Sequence, residues 1–156
     1  MIKVGDIAPD FTLPTSNREE SVQLSELKGK NVLLLFFPLA FTGVCTKELC
    51  SVRDNLSIYN NFNAEVLGIS VDSPFTLNKY KEEQGLNFTL LSDFNKEVST
   101  TYDCIYESFI GWMKGVSKRA AFIVDKNGVV QYAEVLDNAG KIPNFEAINS
   151  VFEQIK

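Results

Sequence analysis

Three cysteines and no histidine frame the chemistry open to this 156-residue chain. Without an imidazole there is no Ser-His-Asp or Cys-His hydrolase, no usual zinc site and no histidine general base. Reactivity is left to Cys, Ser/Thr, Tyr, Lys/Arg and carboxylates. Cys45 is the best placed of these. It follows an apolar run and a Pro-containing loop, at the start of a helical pattern. The unsatisfied N–H groups and the macrodipole at a helix N-terminus favour an anion, and the thiolate is the nucleophilic form of cysteine. A guanidinium is the obvious remaining counter-charge, and Thr42 can donate a hydrogen bond across the turn. The same position also suits a small buried core residue, which is what most free cysteines are.

Cys50 adds a geometric constraint. In a wound helix, Cα atoms five residues apart lie about 8–9 Å from each other, given a rise of about 7.5 Å. A disulfide tolerates at most about 7 Å. Cys45 and Cys50 can therefore bond only if the first turns unwind, which suits a transient bond better than a permanent one. A second buried small residue at position 50 fits the spacing equally well. An odd number of cysteines, with no secretion signal at Met1-Ile2-Lys3-Val4-Gly5-Asp6, argues against a structural disulfide framework.

The elements that must position these residues follow from the pattern. Asn31 to Phe37 is a continuous apolar run stopped by Pro38, as in a buried central strand. Leu49, Val52, Leu56 and Tyr59 recur at helical spacing and predict a helix from Cys45 to about Tyr59. Glu65 to Val71 predicts a second buried strand. Ser73 and Pro74 make an N-cap and first helical position, and Gly85 closes that helix. Thr89-Leu90-Leu91 predicts a short strand, Lys96 to Tyr102 a short helix and Cys104 to Val116 a loop. Ala120 to Asp125 and Val129 to Val135, joined by Lys126-Asn127-Gly128, predict a hairpin. Phe145 to Ile155 closes the chain as an amphipathic helix. Alternating βαβα implies parallel strands with helices on both faces, and the hairpin is expected to add antiparallel edge strands. The fold class expected is α/β: a thioredoxin-like three-layer α/β/α sandwich with a mixed central sheet, in a single domain over residues 1–156.

Composition narrows the partners. A net charge of -5 lacks the basic face a nucleic-acid or anionic-membrane binder needs. No apolar run approaches the roughly 20 residues that span a bilayer. A cytoplasmic protein is expected.

Pro38-Leu39-Ala40-Phe41-Thr42-Gly43-Val44-Cys45 fits the Pro-x-x-x-Thr-x-x-Cys signature of the peroxiredoxins. Ala8-Pro9-Asp10-Phe11, the segment Leu90 to Asp93, and Arg119 ahead of Ala120 to Asp125 extend the resemblance over nearly the whole chain. Phe36 to Gly43 looks most like the alkyl hydroperoxide reductase E subgroup. Cys45-Thr46-Lys47-Glu48-Leu49-Cys50 resembles the bacterioferritin-comigratory-protein (peroxiredoxin Q) subgroup, whose resolving cysteine sits five residues downstream.

The resemblance implies a thiol-dependent peroxidase that needs no histidine, metal or organic cofactor. Cys45 would attack a peroxide oxygen and become a sulfenic acid. Thr42 would orient the peroxide, Arg119 would hold the thiolate and stabilise the leaving oxygen, and Pro38 would shield the sulfur from water. The N–H groups of Val44 and Cys45 would serve as further donors. Cys50 would resolve Cys45 as an intramolecular disulfide, recycled by thioredoxin or a similar dithiol. A one-cysteine peroxidase using an external thiol, and a redox-regulated binding module, are the alternatives. A thioredoxin-type exchange protein would want Cys-x-x-Cys, and a copper carrier would want histidine. Glu48 either positions Arg119 or is a solvated first-turn charge. Arg53-Asp54 also resembles the family and reads as a structural ion pair or network partner. Cys104 reads as a buried spectator thiol, with resolution of Cys45 in place of Cys50 as its rival role. Phe109 to Trp112 either line the substrate mouth or a homodimer contact with Phe41, or pack locally.

Overall fold

A computed structural model describes residues 1–156. The apolar run after Lys30 forms strand β3 (Asn31–Phe36), buried at every position. Its odd residues, Leu33 and Leu35, enter one core and its even residues, Val32, Leu34 and Phe36, enter another. A strand buried on both faces must lie inside a sheet. It does so: β3 pairs parallel with β4 (Ala64–Ser70) and antiparallel with β6 (Arg119–Val124). Strand β5 (Thr89–Ser92) adds to β4 in parallel, and β7 (Val130–Leu136) adds to β6 antiparallel. The order is β5-β4-β3-β6-β7. Before this sheet, β1 (Thr12–Pro14) and β2 (Ser21–Gln23) form a small separate hairpin.

The expected fold class holds, a thioredoxin-like mixed α/β sheet, with three corrections. Strand β6 is an interior strand and not an edge; only β7 is peripheral in the hairpin. The helices that cross between parallel strands also share one face. Helices α1 (Gly43–Asp54) and α2 (Leu56–Asn61) connect β3 to β4, and α3 (Pro74–Gln84) connects β4 to β5. Both steps move in the same direction along the sheet, so right-handed crossovers place all three helices on one side. Helix α5 (Phe145–Ile155) joins them there through Ile148 and Phe152. The opposite face is covered by the β1–β2 hairpin, the 3-10 turn after it (Leu24–Leu27) and the short α4 (Glu97–Thr101), through Leu13, Leu24 and Val98.

The third correction concerns the long helix expected from Cys45 to Tyr59. It starts two residues earlier, at Gly43, and breaks at Asn55. The Asn55 side-chain amide donates to the Ser51 carbonyl at 2.8 Å, while its backbone N–H turns to Val52 at 3.1 Å. The side chain thus takes the acceptor that the next helical bond would use. The other elements match their patterns closely. Ser73 caps α3 by accepting from the Thr76 N–H, Pro74 opens it, and Gly85 closes it at φ 61°.

Candidate active site

Helix α1 begins where β3 ends, so the loop between them is short and tightly held. Pro38 and Ala40 are buried. The Ala40 N–H donates to Asp72 Oδ2 at 2.8 Å, and the Ser70 hydroxyl donates to the same oxygen at 2.7 Å. That anchor fastens the loop to the end of β4. Phe41 then takes φ 65°, a left-handed conformation uncommon for a residue with a side chain. Its ring is held against Tyr80, with centroids 4.9 Å apart. Thr42 is the N-cap residue. Its hydroxyl is exposed and donates back to the Leu39 carbonyl at 2.8 Å, so it points its proton away from the helix and leaves its lone pairs free.

Cys45 stands in the first turn of α1 and is only 1% exposed. The N–H groups of Val44 and Cys45 precede the first intrahelical bonds and have no partner within the chain. Arg119, the first residue of β6, reaches across from the sheet. Its Nη2 donates to Cys45 Sγ at 3.2 Å and to the Ala139 carbonyl at 3.0 Å. Its Nη1 donates to Glu48 Oε1 at 2.8 Å. Arg119 and Glu48 are both fully enclosed, at 1% and 0% exposure. Glu48 is therefore not a solvated first-turn charge. One turn beyond Cys45, it faces inward because a cation from β6 waits there.

The electrostatics of this cluster are tense. Burial pushes the Glu48 carboxyl up to about 7, against the pull of Arg119, with Glu134 adding to the rise. Burial also works against the Arg119 charge, but the Cys45 sulfur and the Glu48 carboxylate outweigh it and raise its proton affinity. An always-charged guanidinium beside a sulfur, at a helix N-terminus, is an environment for an anion. With unpaired N–H groups alongside, it suits a reaction in which negative charge moves from sulfur to a leaving oxygen.

The other predicted residues fall outside this cluster. Cys50 is half-buried in the middle of α1, and its thiol donates to Gln84 Oε1 at 3.6 Å. Both cysteines lie in one unbroken helix, so the distance constraint drawn from their spacing applies to the folded state. Arg53 pairs with Asp54 at 2.9 Å, as expected for a structural ion pair, and also donates to the Gln84 carbonyl. Cys104 is wholly buried in the opposite core. Ile110 and Trp112 are 66% and 72% exposed, whereas Phe109 packs locally against Tyr106, with ring centroids 5.2 Å apart. Asp72 and the Ala139 carbonyl were not anticipated. The Asp72-Ser73-Pro74 sequence reads as a helix start and hides the anchor, and a backbone carbonyl has no residue-type signature.

A sheet of this order, with a buried thiol at a helix N-terminus and an arginine on the adjoining strand, defines a thioredoxin-fold thiol enzyme. The chain belongs to the AhpC/TSA family, whose description matches residues 4–133. It is 42% identical over 141 residues to alkyl hydroperoxide reductase E of Mycobacterium tuberculosis, covering 86% of each chain. It is 39% identical over 132 residues to peroxiredoxin Bcp of Escherichia coli, covering 84% of each. Among solved structures it resembles peroxidoxin BcpB of M. tuberculosis, with a TM-score of 0.87 at 27% identity over 100% of this chain and 99% of that one. The reduced 2-Cys peroxiredoxin of Plasmodium vivax gives 0.84 at 32% identity over 98% and 81%. The protein is a peroxiredoxin enzyme, a thiol-dependent peroxidase. No helix is long and apolar enough to cross a membrane.

Proposed function

We propose that Cys45 is the peroxidatic nucleophile, that Cys50 resolves its sulfenic acid, and that a thioredoxin-like dithiol reduces the resulting disulfide. The observation that carries this reading is the 3.2 Å contact from Arg119 Nη2 to Cys45 Sγ inside a buried first turn. The thiolate attacks one peroxide oxygen, the O–O bond breaks, and charge grows on the leaving oxygen. Arg119 and the free N–H groups of Val44 and Cys45 are the donors for that charge. The Thr42 hydroxyl already donates its hydrogen bond to the Leu39 carbonyl, so its oxygen accepts from the peroxide O–H and orients it. Pro38 closes the site behind the sulfur, and Glu48 positions Arg119. All of this is done by the 156 residues acting as one domain.

The substrate is hydrogen peroxide or an organic hydroperoxide. A homodimer is part of the same reading. Phe41 and Trp112 expose apolar rings on the active-site-loop side, and Leu39 and Trp112 line one surface cavity. Such a protein works in the cytoplasm, where dithiol donors are kept reduced.

The test is a pulse of one equivalent of hydrogen peroxide on the reduced protein, followed by a thiol-blocking quench and peptide mapping. A Cys45–Cys50 disulfide, with Cys104 still blockable, is the expected result. In Cys50→Ser the reaction should stop at a Cys45 sulfenic acid and turnover with thioredoxin should collapse. If Cys50→Ser turns over normally with an external thiol, the protein is a one-cysteine peroxidase. A Cys45 that stays a free thiol sinks the assignment.

A further inference from the structure

Helix α1 is held from two sides by different kinds of contact. Towards the sheet, Cys45 and Glu48 meet the Arg119 charge. Towards α3, Thr46 and Cys50 meet neutral groups. Thr46 Oγ1 and Tyr80 OH share a hydrogen bond of 2.9 Å, and the Cys50 thiol donates to Gln84 Oε1 at 3.6 Å. Thr46 and Cys50 are four residues apart on α1, and Tyr80 and Gln84 are four apart on α3. One face of each helix therefore meets one face of the other at two successive turns. Tyr80 is fully buried, and the reaction described above does not use it. Beyond this pair, Arg53 donates to the Gln84 carbonyl.

The contacts fall on the residues that must move. Cys50 reaches Cys45 only if residues 46 to 50 leave the helix. Both α3 contacts lie within that stretch, and on the sheet side so does the Arg119–Glu48 pair, while the Arg119–Cys45 contact lies outside it. We propose that Tyr80 and Gln84 are positioning residues that latch α1 wound and so set how fast Cys50 reaches oxidised Cys45. This rests on Cys50 being the resolving cysteine.

The step they time is balanced without a further reactant. The Cys50 sulfur attacks the Cys45 sulfenic sulfur. An S–S bond forms and the S–O bond breaks. The hydroxyl leaves with the Cys50 proton as water, the Cys50 sulfur is oxidised and the Cys45 sulfur is reduced. The competing event is attack of the sulfenic acid on a second peroxide, which gives sulfinic acid. The Cys50–Gln84 bond turns the Cys50 thiol towards α3 and must break before that sulfur can reach Cys45.

Three variants each remove one contact while keeping volume: Tyr80→Phe, Thr46→Val and Gln84→Met. Two readouts are needed. The first is amide hydrogen exchange across α1 in the reduced protein, with β3 as the internal control. The second is the rate of Cys45–Cys50 disulfide formation after a peroxide pulse, followed by quench and mass spectrometry. Losing one modest hydrogen bond should raise both by roughly threefold to tenfold. Sulfenic acid formation and β3 exchange should stay at their wild-type values. The sulfinic acid fraction under excess peroxide should fall. Tyr80→Phe combined with Thr46→Val should equal either alone, because the two share one bond. Exchange and disulfide rates unchanged in all three variants would overturn the latch. Faster exchange with an unchanged disulfide rate would overturn its timing role. If wild type forms no Cys45–Cys50 disulfide at all, it is the resolving role of Cys50 that fails, and exchange alone then reports whether α3 holds α1.

Discussion

Cys45 and Cys104 are both buried thiols in tightly packed cores, at 1% and 0% exposure, yet their surroundings are opposite in sign. Cys45 stands in the first turn of the twelve-residue α1, with a guanidinium 3.2 Å from its sulfur. Cys104 lies just past the C-terminal end of α4, where the helix dipole disfavours an anion. Burial pushes its thiol well above the ordinary cysteine range, and Asp93 and Asp103 push it further against a weaker pull from Lys118. Both carry the same functional group at the same depth. On the proposed reading, what separates the nucleophile Cys45 from Cys104 is the charge and dipole brought to each by other elements.

The largest effect that can break this contrast is removal of the thiols themselves. Cys45→Ser should lower peroxide consumption by at least about a thousandfold, as loss of a nucleophile does. Cys104→Ala should leave the rate within about a factor of two of wild type, since nothing in the chemistry touches it. Peroxide consumption in the presence of an excess dithiol measures both. Equal losses would mean that Cys104 takes part in turnover, as in its rival role of resolving Cys45, and the contrast would fail.

Removing the counter-charge comes next. Arg119→Met keeps the bulk of the side chain and deletes every donor to Cys45 and Glu48. The second-order rate of Cys45 oxidation, measured by stopped-flow fluorescence, should fall by about 10²- to 10³-fold, the loss seen when a preorganised donor to developing charge is removed. A loss of less than about fivefold would leave the helix N-terminus as the main source of activation.

Glu48 sharpens the contrast through pH. Its carboxyl is raised from 4.5 to about 7 in the folded protein. A raised carboxyl means that the folded state binds the proton more tightly than the unfolded chain does. Its ionisation therefore works against folding, and the penalty grows as pH rises from about 4.5 to about 7 before levelling. Glu48→Gln cannot ionise. Thermal unfolding measured from pH 5 to pH 8 should show wild type losing ground against Glu48→Gln as pH rises. The offset between the two curves also contains the lost ion pair with Arg119, so the slope is the diagnostic quantity. Parallel curves would mean that Arg119 holds Glu48 ionised throughout.

The parts of this contrast that sequence shows are the local ones. The apolar run of β3, its stop at Pro38 and the Thr42–Cys45 spacing place a thiol at a helix N-terminus without any tertiary information. The caps of α3 and the turn between β6 and β7 are local in the same way. What sequence does not show depends on strand order. Glu48 lies inward only because Arg119, 71 residues away, arrives on a strand adjacent to β3. Periodicity marks β6 as a buried strand but cannot tell an interior neighbour of β3 from an edge. The same-face placement of α1, α2 and α3 follows from handedness once the order β5-β4-β3 is known, and not before. The break at Asn55 came from one side-chain amide overriding an apolar pattern that continues through Leu56 and Tyr59. Tyr80 and Gln84 read as ordinary helical positions until α3 is docked against α1.

The smallest effect concerns what Cys104 does if it does no chemistry. It packs in the core shared by Phe36, Tyr102 and Phe122, and its backbone joins two segments: its N–H donates to Ser99 and its carbonyl accepts from Lys118. The carbonyl contact lies one residue before Arg119, so Cys104 helps fix where β6 begins. Cys104→Ala keeps both backbone bonds and removes only the sulfur, which should cost about 1 kcal/mol through the small cavity left behind. Cys104→Ser keeps the size but puts a hydroxyl into an apolar core, and should cost about 1–3 kcal/mol if that hydroxyl finds no partner. Chemical denaturation of the two variants therefore ranks Ser below Ala. The opposite ranking would place a polar partner beside position 104. In that case the thiol there would be a hydrogen-bonded group, and the contrast with Cys45 would be one of degree.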